Sequence, residues 1–331
     1  MRNKIITIGE IMMRLSTPGH ERFVQAEQFE VHFGGAEANV AISLAHWGQP
    51  SQHVTALPAH DLGLAVKNYL RKHLVDCTHV YAQDGRLGLY FLENGVMQRA
   101  SKIIYDRFDS AFANWDASEV DWDAVFLDAA WFHWTGITPA LSQAAADFLL
   151  KALKAAKNHG VKVSADINYR RNLWNYGKSP LEIMPELIRY ADVVIAGLTD
   201  FENCMDIQAS EYVEACHLAK RDYPSIAYIS TTERETISSN HNQLSAVLWN
   251  GQELLTSKSY DMPQIVDRIG GGDAYMAGLI YGLLHMEQQA ALEFAVAASV
   301  LKHGISGDAN LVSVEEVQAL VAGNHVGKLL R

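Results

Sequence analysis

The sequence predicts a doubly wound α/β fold, a mainly parallel sheet with helices on both faces, together with a small β-sheet lid. Short β-rich runs alternate with longer stretches of helical period, an alternation typical of parallel sheets whose crossover helices cover both faces. Two further extended segments have no helix between them. The chain has 331 residues, 49% of them hydrophobic and 20% charged. That is the composition of a globular protein, with one large domain and an insertion or with two domains.

The core elements follow in chain order from the hydrophobic pattern. Short apolar and β-branched runs predict strands at Lys4–Gly9, Ser51–Leu57, Ala124–Leu127, Val161–Asp166, Val193–Ala196 and Ser225–Ser230. Helical period predicts helices at Ala36–Trp47, Asp61–His73, Pro139–Asn158 and Glu211–Arg221. We expect Pro139 to open its helix and Gly160 to follow the end, because proline suits the first helical turn and glycine suits the residue after the last.

Two segments interrupt this alternation and predict the lid. Arg22–Phe33 is extended in pattern, and Gly88–Glu93 and Val96–Tyr105 flank an Asn-Gly pair, a strong hairpin signal. A second Asn-Gly hairpin, at Asn250-Gly251, should extend the main sheet. We expect residues 14–33 and 87–108 to form a separate lid over a cleft, and residues 1–13, 34–86 and 109–331 to form the α/β core.

Charge and cysteine content exclude several classes of partner. Lysine and arginine number 27 against 38 aspartate and glutamate, and the formal charge of −11 would repel phosphate backbones and anionic membranes. The three cysteines, Cys77, Cys204 and Cys216, fit neither a redox pair nor a zinc site, and no apolar run is long enough to cross a bilayer. We therefore expect a cytoplasmic protein with neither nucleic acid nor membrane as a partner.

The densest glycine signal lies between Asp267 and Gly278. It contains Gly270, Gly271 and Gly272 directly before an apolar helix. Glycine backbone lets successive N–H groups converge, and the start of a helix adds partial positive charge, so this pattern is typical of an anion site. Asp273 lies in the first helical turn. The alternative is a tight loop in which Asp273 only caps the helix.

A second glycine pair, Gly34-Gly35, precedes the predicted helix that carries Asn39. Taken alone, it is also consistent with an ordinary strand-to-helix turn. With both motifs in this order around an α/β core, the chain resembles the ribokinase-like sugar kinases, the phosphofructokinase-B family, over nearly its whole length. Within that family it most resembles the 2-keto-3-deoxygluconate kinases, at Gly34–Ala41, Gly88–Tyr90, Tyr105–Arg107, Gly136–Pro139, Asp166–Arg170 and from Gly307-Asp308 onward.

The resemblance implies roles for individual residues. Asp273 would be the general base toward the sugar hydroxyl, and Gly270, Gly271 and Gly272 would form the amide cradle, or anion hole, for the transferred phosphoryl group. Phosphoryl transfer requires positioning, charge stabilisation and a carboxylate beside the attacking hydroxyl, which agrees with these roles. The implied sugar contacts are Gly34, Gly35, Asn39, Tyr90, Tyr105, Arg107, Asn168, Arg170 and Asp273. The implied nucleotide contacts are Ser230, Thr232, Gly270, Gly272 and His303.

The sequence also departs from the family pattern. Gly197-Leu-Thr-Asp200 stands where the family usually has Asn-x-x-Glu, so we expect no direct protein ligand to the metal, with Asp200 as the candidate for indirect help. Ser230–Glu235 lacks the glycines common in the nucleotide loop. Asp267-Arg-Ile lacks a threonine often seen before the anion hole, so nothing here supports activation by a monovalent cation. Gly271 replaces an alanine, a change that should leave the amide cradle intact.

The implied activity is ATP- and Mg²⁺-dependent phosphorylation of a sugar acid, 2-keto-3-deoxygluconate, to 2-keto-3-deoxy-6-phosphogluconate. Arg107 and Arg170 favour an acid, because the planar guanidinium pairs well with a carboxylate. The alternative is that they pair with a neighbouring Asp106, Asp109 or Asp166. Other functions left open are a fructokinase, ribokinase or dehydro-deoxygluconokinase, or a non-catalytic sugar-acid-binding regulator, which the retained Asp273 disfavours. We expect a homo-oligomer assembled through the lid sheet.

Overall fold

The computed structural model describes residues 2–323, and its centre is a ten-stranded sheet. Numbered along the chain, the strands of this sheet are β1 (Lys4–Ile8), β4 (Ser51–Pro58), β5 (Val80–Gln83), β8 (Ala129–Thr135), β9 (Lys162–Asp166), β10 (Val193–Ile195), β11 (Tyr228–Ser238), β12 (His241–Trp249), β13 (Leu254–Thr256) and β14 (Tyr260–Met262). Their order is β13-β12-β11-β10-β9-β8-β1-β4-β5, with β14 also paired to β12. Pairing is parallel from β11 to β5, and β12, β13 and β14 add antiparallel pairs at one edge.

Helices cover both faces of this sheet, which confirms the predicted fold class. One face carries α1 (Ala36–His46), α2 (Asp61–Lys72), α9 (Gly271–His285), α10 (Gln288–Lys302) and α11 (Val314–Val321). The other carries α3 (Trp122–Phe126), α4 (Ile137–Leu141), α5 (Gln143–Asn158), α6 (Pro180–Ile188), α7 (Leu198–Met205) and α8 (Tyr212–Asp222). Strand side chains alternate, so Ile5 packs in one core and Ile6 in the other. Among the described residues, no helix is long and apolar enough to span a membrane.

The predicted small separate sheet is also present. Its strands are β2 (Met12–Ser16), β3 (Glu30–Gly34), β6 (Leu89–Glu93) and β7 (Lys102–Asp106), in the order β3-β2-β6-β7. We call it the small sheet. β2 and β6 pair in parallel at its centre, and the two outer pairs are antiparallel.

The strands of the small sheet are shorter than the sequence suggests. Of the predicted extended segment Arg22–Phe33, only the part within Glu30–Gly34 is a strand, because the chain turns at the start of the segment, where two N–H groups donate to one carbonyl oxygen at 3.0 Å. The predicted strand Val96–Tyr105 begins only at Lys102. Val96, the first residue of the predicted strand, instead exchanges two backbone hydrogen bonds of 3.0 Å with Arg99. Polar turns inside an extended pattern thus shortened both strands.

One predicted core strand is wrong. Ala124–Leu127 lies in and just after α3, because the Asp121 side chain accepts a hydrogen bond from the Ala124 N–H at 3.1 Å and caps a helix there. The strand expected in this region begins at Ala129. A four-residue apolar run fits a short buried helix and a buried strand equally well, so its periodicity does not distinguish them.

The long helix predicted over Pro139–Asn158 is two helices. Ser142 has extended backbone and its hydroxyl accepts a hydrogen bond from the Ala145 N–H at 3.1 Å, so α5 starts after it. Pro139 belongs to the short α4 and does not open the long helix. Gly160 follows the end of α5 with a left-handed φ of 67°, as predicted.

The antiparallel edge of the main sheet was only partly predicted. The Asn250-Gly251 hairpin joins β12 and β13 as expected, with Gly251 at a φ of 94°. The strand predicted over Ser225–Ser230 starts at Tyr228 and continues to Ser238, because its second half pairs with β12. This extension carries β11 beyond the parallel part of the sheet.

Helix α10 packs closely against α9. A Cβ on Gly278 would lie 2.7 Å from the Cα of Ala295, and Gly282 is equally crowded by the same helix, α10. Only glycine permits this approach. The Ser299 hydroxyl of α10 also donates to the Gly271 carbonyl at 2.8 Å. α10 therefore holds the first turn of α9 in place.

Candidate active site

A cleft of about 450 Å³ lies where the carboxyl ends of the parallel strands meet the small sheet and the start of α9. This edge is where open α/β sheets bind their ligands. Most of the predicted site residues line it: Gly34, Gly35, Asn39, Tyr90, Tyr105, Arg107, Asn168, Arg170, Asp200, Thr232, Gly270, Gly271, Gly272 and Asp273. Residues distant in the sequence therefore converge at one place.

The three glycines of the cradle have different surroundings. Gly270 has a left-handed φ of 82°, and a Cβ there would collide with the backbone oxygen of Asp308. A Cβ on Gly271 would collide with the ring of His303, which accounts for glycine in place of alanine. A Cβ on Gly272 would meet nothing within 4 Å. The N–H groups of this first helical turn have no partner within the helix; that of Gly271 makes a long hydrogen bond of 3.4 Å to the Arg268 carbonyl, which leaves those of Gly272 and Asp273 available to an anion.

Asp273 lies half-buried in the cleft, next to the cradle. Asn39 of α1 donates its Nδ2 to Asp273 Oδ2 at 2.7 Å. Burial raises the pKa of Asp273 to about 6, although this hydrogen bond opposes the rise. The Asn39 Oδ1 atom is buried and has no hydrogen-bond partner among the described residues, so it can accept a hydrogen bond from a hydroxyl group of a ligand. A carboxylate with a raised pKa suits a general base that works near neutral pH.

Two further carboxylates, Asp166 and Asp200, line the same cleft. Asp166 ends β9, while Asp200 accepts hydrogen bonds from the Gly197 and Tyr169 N–H groups at 2.8 and 2.9 Å. Burial raises the pKa of both. Burial first, and then the negative charges of Asp200 and Asp273, raise the pKa of Asp166 to about 8. A bound cation would relieve this repulsion.

Arg107 is only 4% exposed, and its partner is Glu10 rather than any of the neighbouring aspartates. Its Nε donates to Glu10 Oε2 at 2.9 Å. Asp106 pairs instead with Arg86 at 2.6 Å. The other Glu10 oxygen is buried without a hydrogen-bond partner in the described part of the chain. Because Glu10 follows β1 and Arg107 follows β7, this ion pair ties the small sheet to the core.

A second buried charge network ties the small sheet to the cradle. Arg14 of β2 is 1% exposed and pairs with Asp267 and with Asp308, the latter at 2.8 Å. Asp267 also accepts the Ile269 N–H at 3.0 Å, just before the cradle begins. The Tyr90 hydroxyl donates to Asp308. Tyr90 therefore lines the cleft as predicted, but its hydroxyl is already engaged within the protein.

Comparison with known proteins agrees with this geometry. A family model described as pfkB family carbohydrate kinase matches residues 2–313. The chain belongs to this pfkB family of carbohydrate kinases. The family inferred from the sequence is thereby confirmed.

The kinase is similar to named relatives over nearly its whole length. A 2-dehydro-3-deoxygalactonokinase from Haloferax volcanii is 30% identical over 328 residues, covering 99% of both chains. The crystal structure of 2-dehydro-3-deoxygluconokinase from Thermotoga maritima has a TM-score of 0.92 and 40% identity, covering 97% of this chain and 100% of that one. An Escherichia coli protein assigned as ribokinase II, in complex with ATP and Mg²⁺, shares the fold with a TM-score of 0.82 and 19% identity, covering 98% and 100%.

Two of the expected nucleotide contacts do not line the cleft of this kinase. The Ser230 hydroxyl is buried, donates to the Val247 carbonyl at 2.7 Å and shares a hydrogen bond with the Tyr275 hydroxyl. His303 is buried behind Gly271, with Nδ1 donating to a backbone carbonyl at 2.7 Å, and burial lowers its pKa to about 4. In this structure both support residues of the cleft from behind.

The kinase cleft also contains residues that sequence reasoning did not single out: Thr231, Arg234, Arg268, Asp166 and Asp308. A signal for Asp166 was present, since it ends a predicted strand and ligands bind beyond the carboxyl ends of parallel strands. Asp308 stood in a motif used only for the family resemblance. Arg234 lies in Ser230–Glu235, which the sequence placed at the nucleotide loop, but on a part of β11 that was not predicted, so nothing distinguished this residue from its neighbours.

Proposed function

We propose that this kinase uses ATP to phosphorylate 2-keto-3-deoxygluconate at its terminal hydroxyl, giving 2-keto-3-deoxy-6-phosphogluconate and ADP. The observation that carries the proposal is Asp273 beside the glycine cradle in a cleft that also holds Arg107 and Arg170. The names of the Haloferax and Thermotoga relatives support a sugar acid. Since the first is named for the galactono epimer, both epimers belong in the substrate test.

In the proposed reaction Asp273 removes the proton of the sugar hydroxyl as its oxygen attacks the γ-phosphorus of ATP. Asn39 holds the carboxylate in position through the 2.7 Å hydrogen bond. Negative charge on the transferred group is stabilised by the N–H groups at the start of α9, which need no rearrangement to meet it. The protein thus positions the two substrates, provides the base, and stabilises negative charge with N–H groups that are already in place.

Mg²⁺ is the metal expected for this family, and the residues present fit it. No group of three or more His, Cys, Asp or Glu is placed to hold a metal ion within residues 2–323. Mg²⁺ typically binds through one or two carboxylates together with substrate phosphates, and would there neutralise phosphate charge. The sequence predicted no direct protein ligand, with Asp200 helping indirectly. We keep that role for Asp200, whose oxygens already accept backbone hydrogen bonds, and propose in addition that Asp166 holds the metal.

Arginine at the cleft provides the test for a sugar acid. Arg170 is exposed and lines the cleft. Its positive charge partly opposes the rise that burial causes in the pKa of Asp166 and Asp273. We expect Arg170→Ala to raise the KM for 2-keto-3-deoxygluconate by roughly 30-fold, which corresponds to about 2 kcal/mol for a charged hydrogen bond. Residual turnover of a neutral sugar should change far less, as steady-state kinetics with both substrates will measure.

Arg171→Ala is the matched control, because this neighbouring arginine is also exposed but does not line the cleft. Arg107→Ala should also raise the KM, but it leaves Glu10 buried without its partner and so should lower the melting temperature. An equal loss for acid and neutral sugars in Arg170→Ala would contradict the sugar-acid assignment without contradicting the kinase assignment. Faster turnover of fructose or ribose by the wild type would do the same.

We further propose a cytoplasmic homo-oligomer that assembles through the small sheet. The cysteines Cys77, Cys204 and Cys216 are free thiols, as in a reducing compartment. On the small sheet, four apolar side chains form one cross-strand row on the face away from the buried Arg14, namely Val31, Leu15, Phe91 and Ile104. The two outer members are 55% and 54% exposed. Such a row suits contact with the same face of a second copy.

Charging this row should separate the copies. We expect Val31→Asp together with Ile104→Asp to reduce the sedimenting species to a monomer, because carboxylates in an apolar interface lose hydration without gaining partners. Val24→Asp is the control, since Val24 is 88% exposed but lies outside the row. An unchanged sedimentation coefficient in the double variant would overturn the proposed interface.

A further inference from the structure

Two arginines flank the glycine cradle, and neither has a counter-ion within residues 2–323. Arg268 lies two residues before Gly270, and Arg234 lies on the extended half of β11, opposite Leu244 of β12. Both line the cleft together with Thr231 and the cradle glycines. Both stand in segments that were compared with the family pattern, but neither residue was given a role there.

The hydrogen bonds of Arg268 leave its charge unmatched. One of its terminal nitrogens donates to the Ser238 carbonyl at 3.2 Å and to Asn242 Oδ1 at 2.8 Å, and both acceptors are neutral. Its Nε is buried without a hydrogen-bond partner among the described residues. The nearest acid in the sequence, Asp267, is already paired with Arg14. An incoming anion would therefore be the first group to match this guanidinium.

Arg234 is in a similar position. Its side chain is exposed, but partial desolvation by the surrounding protein and the positive charge of Arg268 both lower its pKa, and no carboxylate of the described chain offsets either effect. Its sequence neighbours Glu233 and Glu235 point to the opposite face of β11, because side chains alternate along a strand. Two unmatched like charges held close together are unexpected in a chain whose formal charge is −11.

A third residue places both arginines around the cradle. The ring of His303 occupies the space where a Cβ on Gly271 would lie. Burial lowers the pKa of this imidazole, and the positive charges of Arg234 and Arg268 lower it further. Arg268 lies two residues before Gly270 and both arginines line the same cleft as the cradle glycines, so both lie on the cradle side of the cleft.

We propose that Arg234 and Arg268 form a clamp for the β- and γ-phosphates of the nucleotide, opposite the amides of the glycine cradle. This inference rests on the proposed ATP-dependent function and assigns its phosphate contacts. A guanidinium donates parallel charge-assisted hydrogen bonds to phosphate oxygens. Two guanidinium groups therefore suit a ligand with several phosphates better than a ligand with a single carboxylate. The segment Ser230–Glu235 lacks the glycines typical of a nucleotide loop. In this segment the Arg234 side chain would contact the phosphates in place of backbone N–H groups.

The test compares nucleotides that differ in phosphate number. We expect Arg234→Gln and Arg268→Gln each to raise the Kd for ADP by roughly tenfold, measured by isothermal titration calorimetry, because each variant loses a charge-assisted contact. The Kd for adenosine should stay at the wild-type value, and so should the Kd for 2-keto-3-deoxygluconate. Arg189→Gln is the control, since Arg189 is exposed at the end of α6 and pairs with Glu186 outside the cleft.

Other outcomes decide against the clamp. An equal loss for ADP and adenosine would mean that the variants disturb the fold of the site, and a loss confined to the keto acid would make the sugar carboxylate the bound anion. An unchanged Kd for ADP overturns the inference directly. If Arg268→Gln fails to fold, the exposed Arg234→Gln carries the same comparison. Failure of the proposed function would be distinguishable from failure of the clamp, because the wild-type enzyme would then show no ATP turnover that depends on a sugar acid.

Discussion

Replacing Asp273 by asparagine should lower turnover by a factor of roughly 10²–10⁴, the usual contribution of a general base. The amide keeps the size of the carboxylate and can still accept the hydrogen bond from Asn39. It cannot take the proton of the sugar hydroxyl. Affinity for the sugar acid should therefore stay near the wild-type value while kcat falls, as single-turnover kinetics and calorimetry will show.

The pH profile of Asp273 gives this prediction a second measurement. Because burial raises its pKa to about 6, the carboxylate loses its negative charge as the pH falls through 6, and kcat of the wild type should fall with it. Asp273→Asn should lack that acidic limb. Since the folded-state pKa exceeds the ordinary value of 3.8, this group lowers the folding stability as the pH rises from about 3.8 to about 6, and the loss persists at higher pH. The variant should therefore melt no lower than the wild type at pH 8. Turnover within a few-fold of wild type would remove Asp273 from its role.

Replacing Gly272 by valine should abolish most activity without unfolding the protein. A Cβ there meets no atom within 4 Å, and Gly272 lies in the cleft beside Asp273, so the new side chain projects into the space assigned to the phosphoryl group. Loss of one oxyanion contact costs about 3 kcal/mol in comparable sites, and kcat should fall by a factor of roughly 10² or more. The melting temperature should stay close to that of the wild type.

Gly270→Val provides the contrasting control. At Gly270 the φ of 82° and the backbone oxygen of Asp308 leave no room for a Cβ, so this variant should lose stability as well as activity. Thermal melts and ATP turnover of both variants separate the two effects. Unchanged turnover in a folded Gly272→Val protein would contradict the cradle.

The sequence predicted those parts of the fold and site that depend on local pattern. The strand and helix periods predicted the fold class, and the glycines singled out at 34–35 and 270–272 all line one cleft. Contacts between distant segments were not predicted. Arg107 was predicted to bind the sugar carboxylate, with a neighbouring aspartate as the alternative partner, yet its partner within the protein is Glu10, 97 residues away in the sequence. Spacing along the chain carries no information on which segments a tertiary fold brings together.

Side-chain direction was the other part that the sequence left open. Ser230 and His303 lie in the expected segments, but the structure turns both away from the cleft. Arg234 was missed because β11 runs on to Ser238, and that extension depends on pairing with β12 rather than on local propensity. Only the folded neighbours decide which of several polar residues in one loop faces a ligand.

The Arg14 network has a consequence for how the chain folds as it is synthesised. The guanidinium is buried against Asp267 and Asp308, residues that the ribosome adds 253 and 294 positions later. Until those carboxylates leave the exit tunnel, a nascent small sheet that buried Arg14 would carry an uncompensated cation, which is strongly unfavourable. The small sheet therefore completes its native packing only after Asp308 has left the exit tunnel, and the apolar row on its other face stays accessible to chaperones until then.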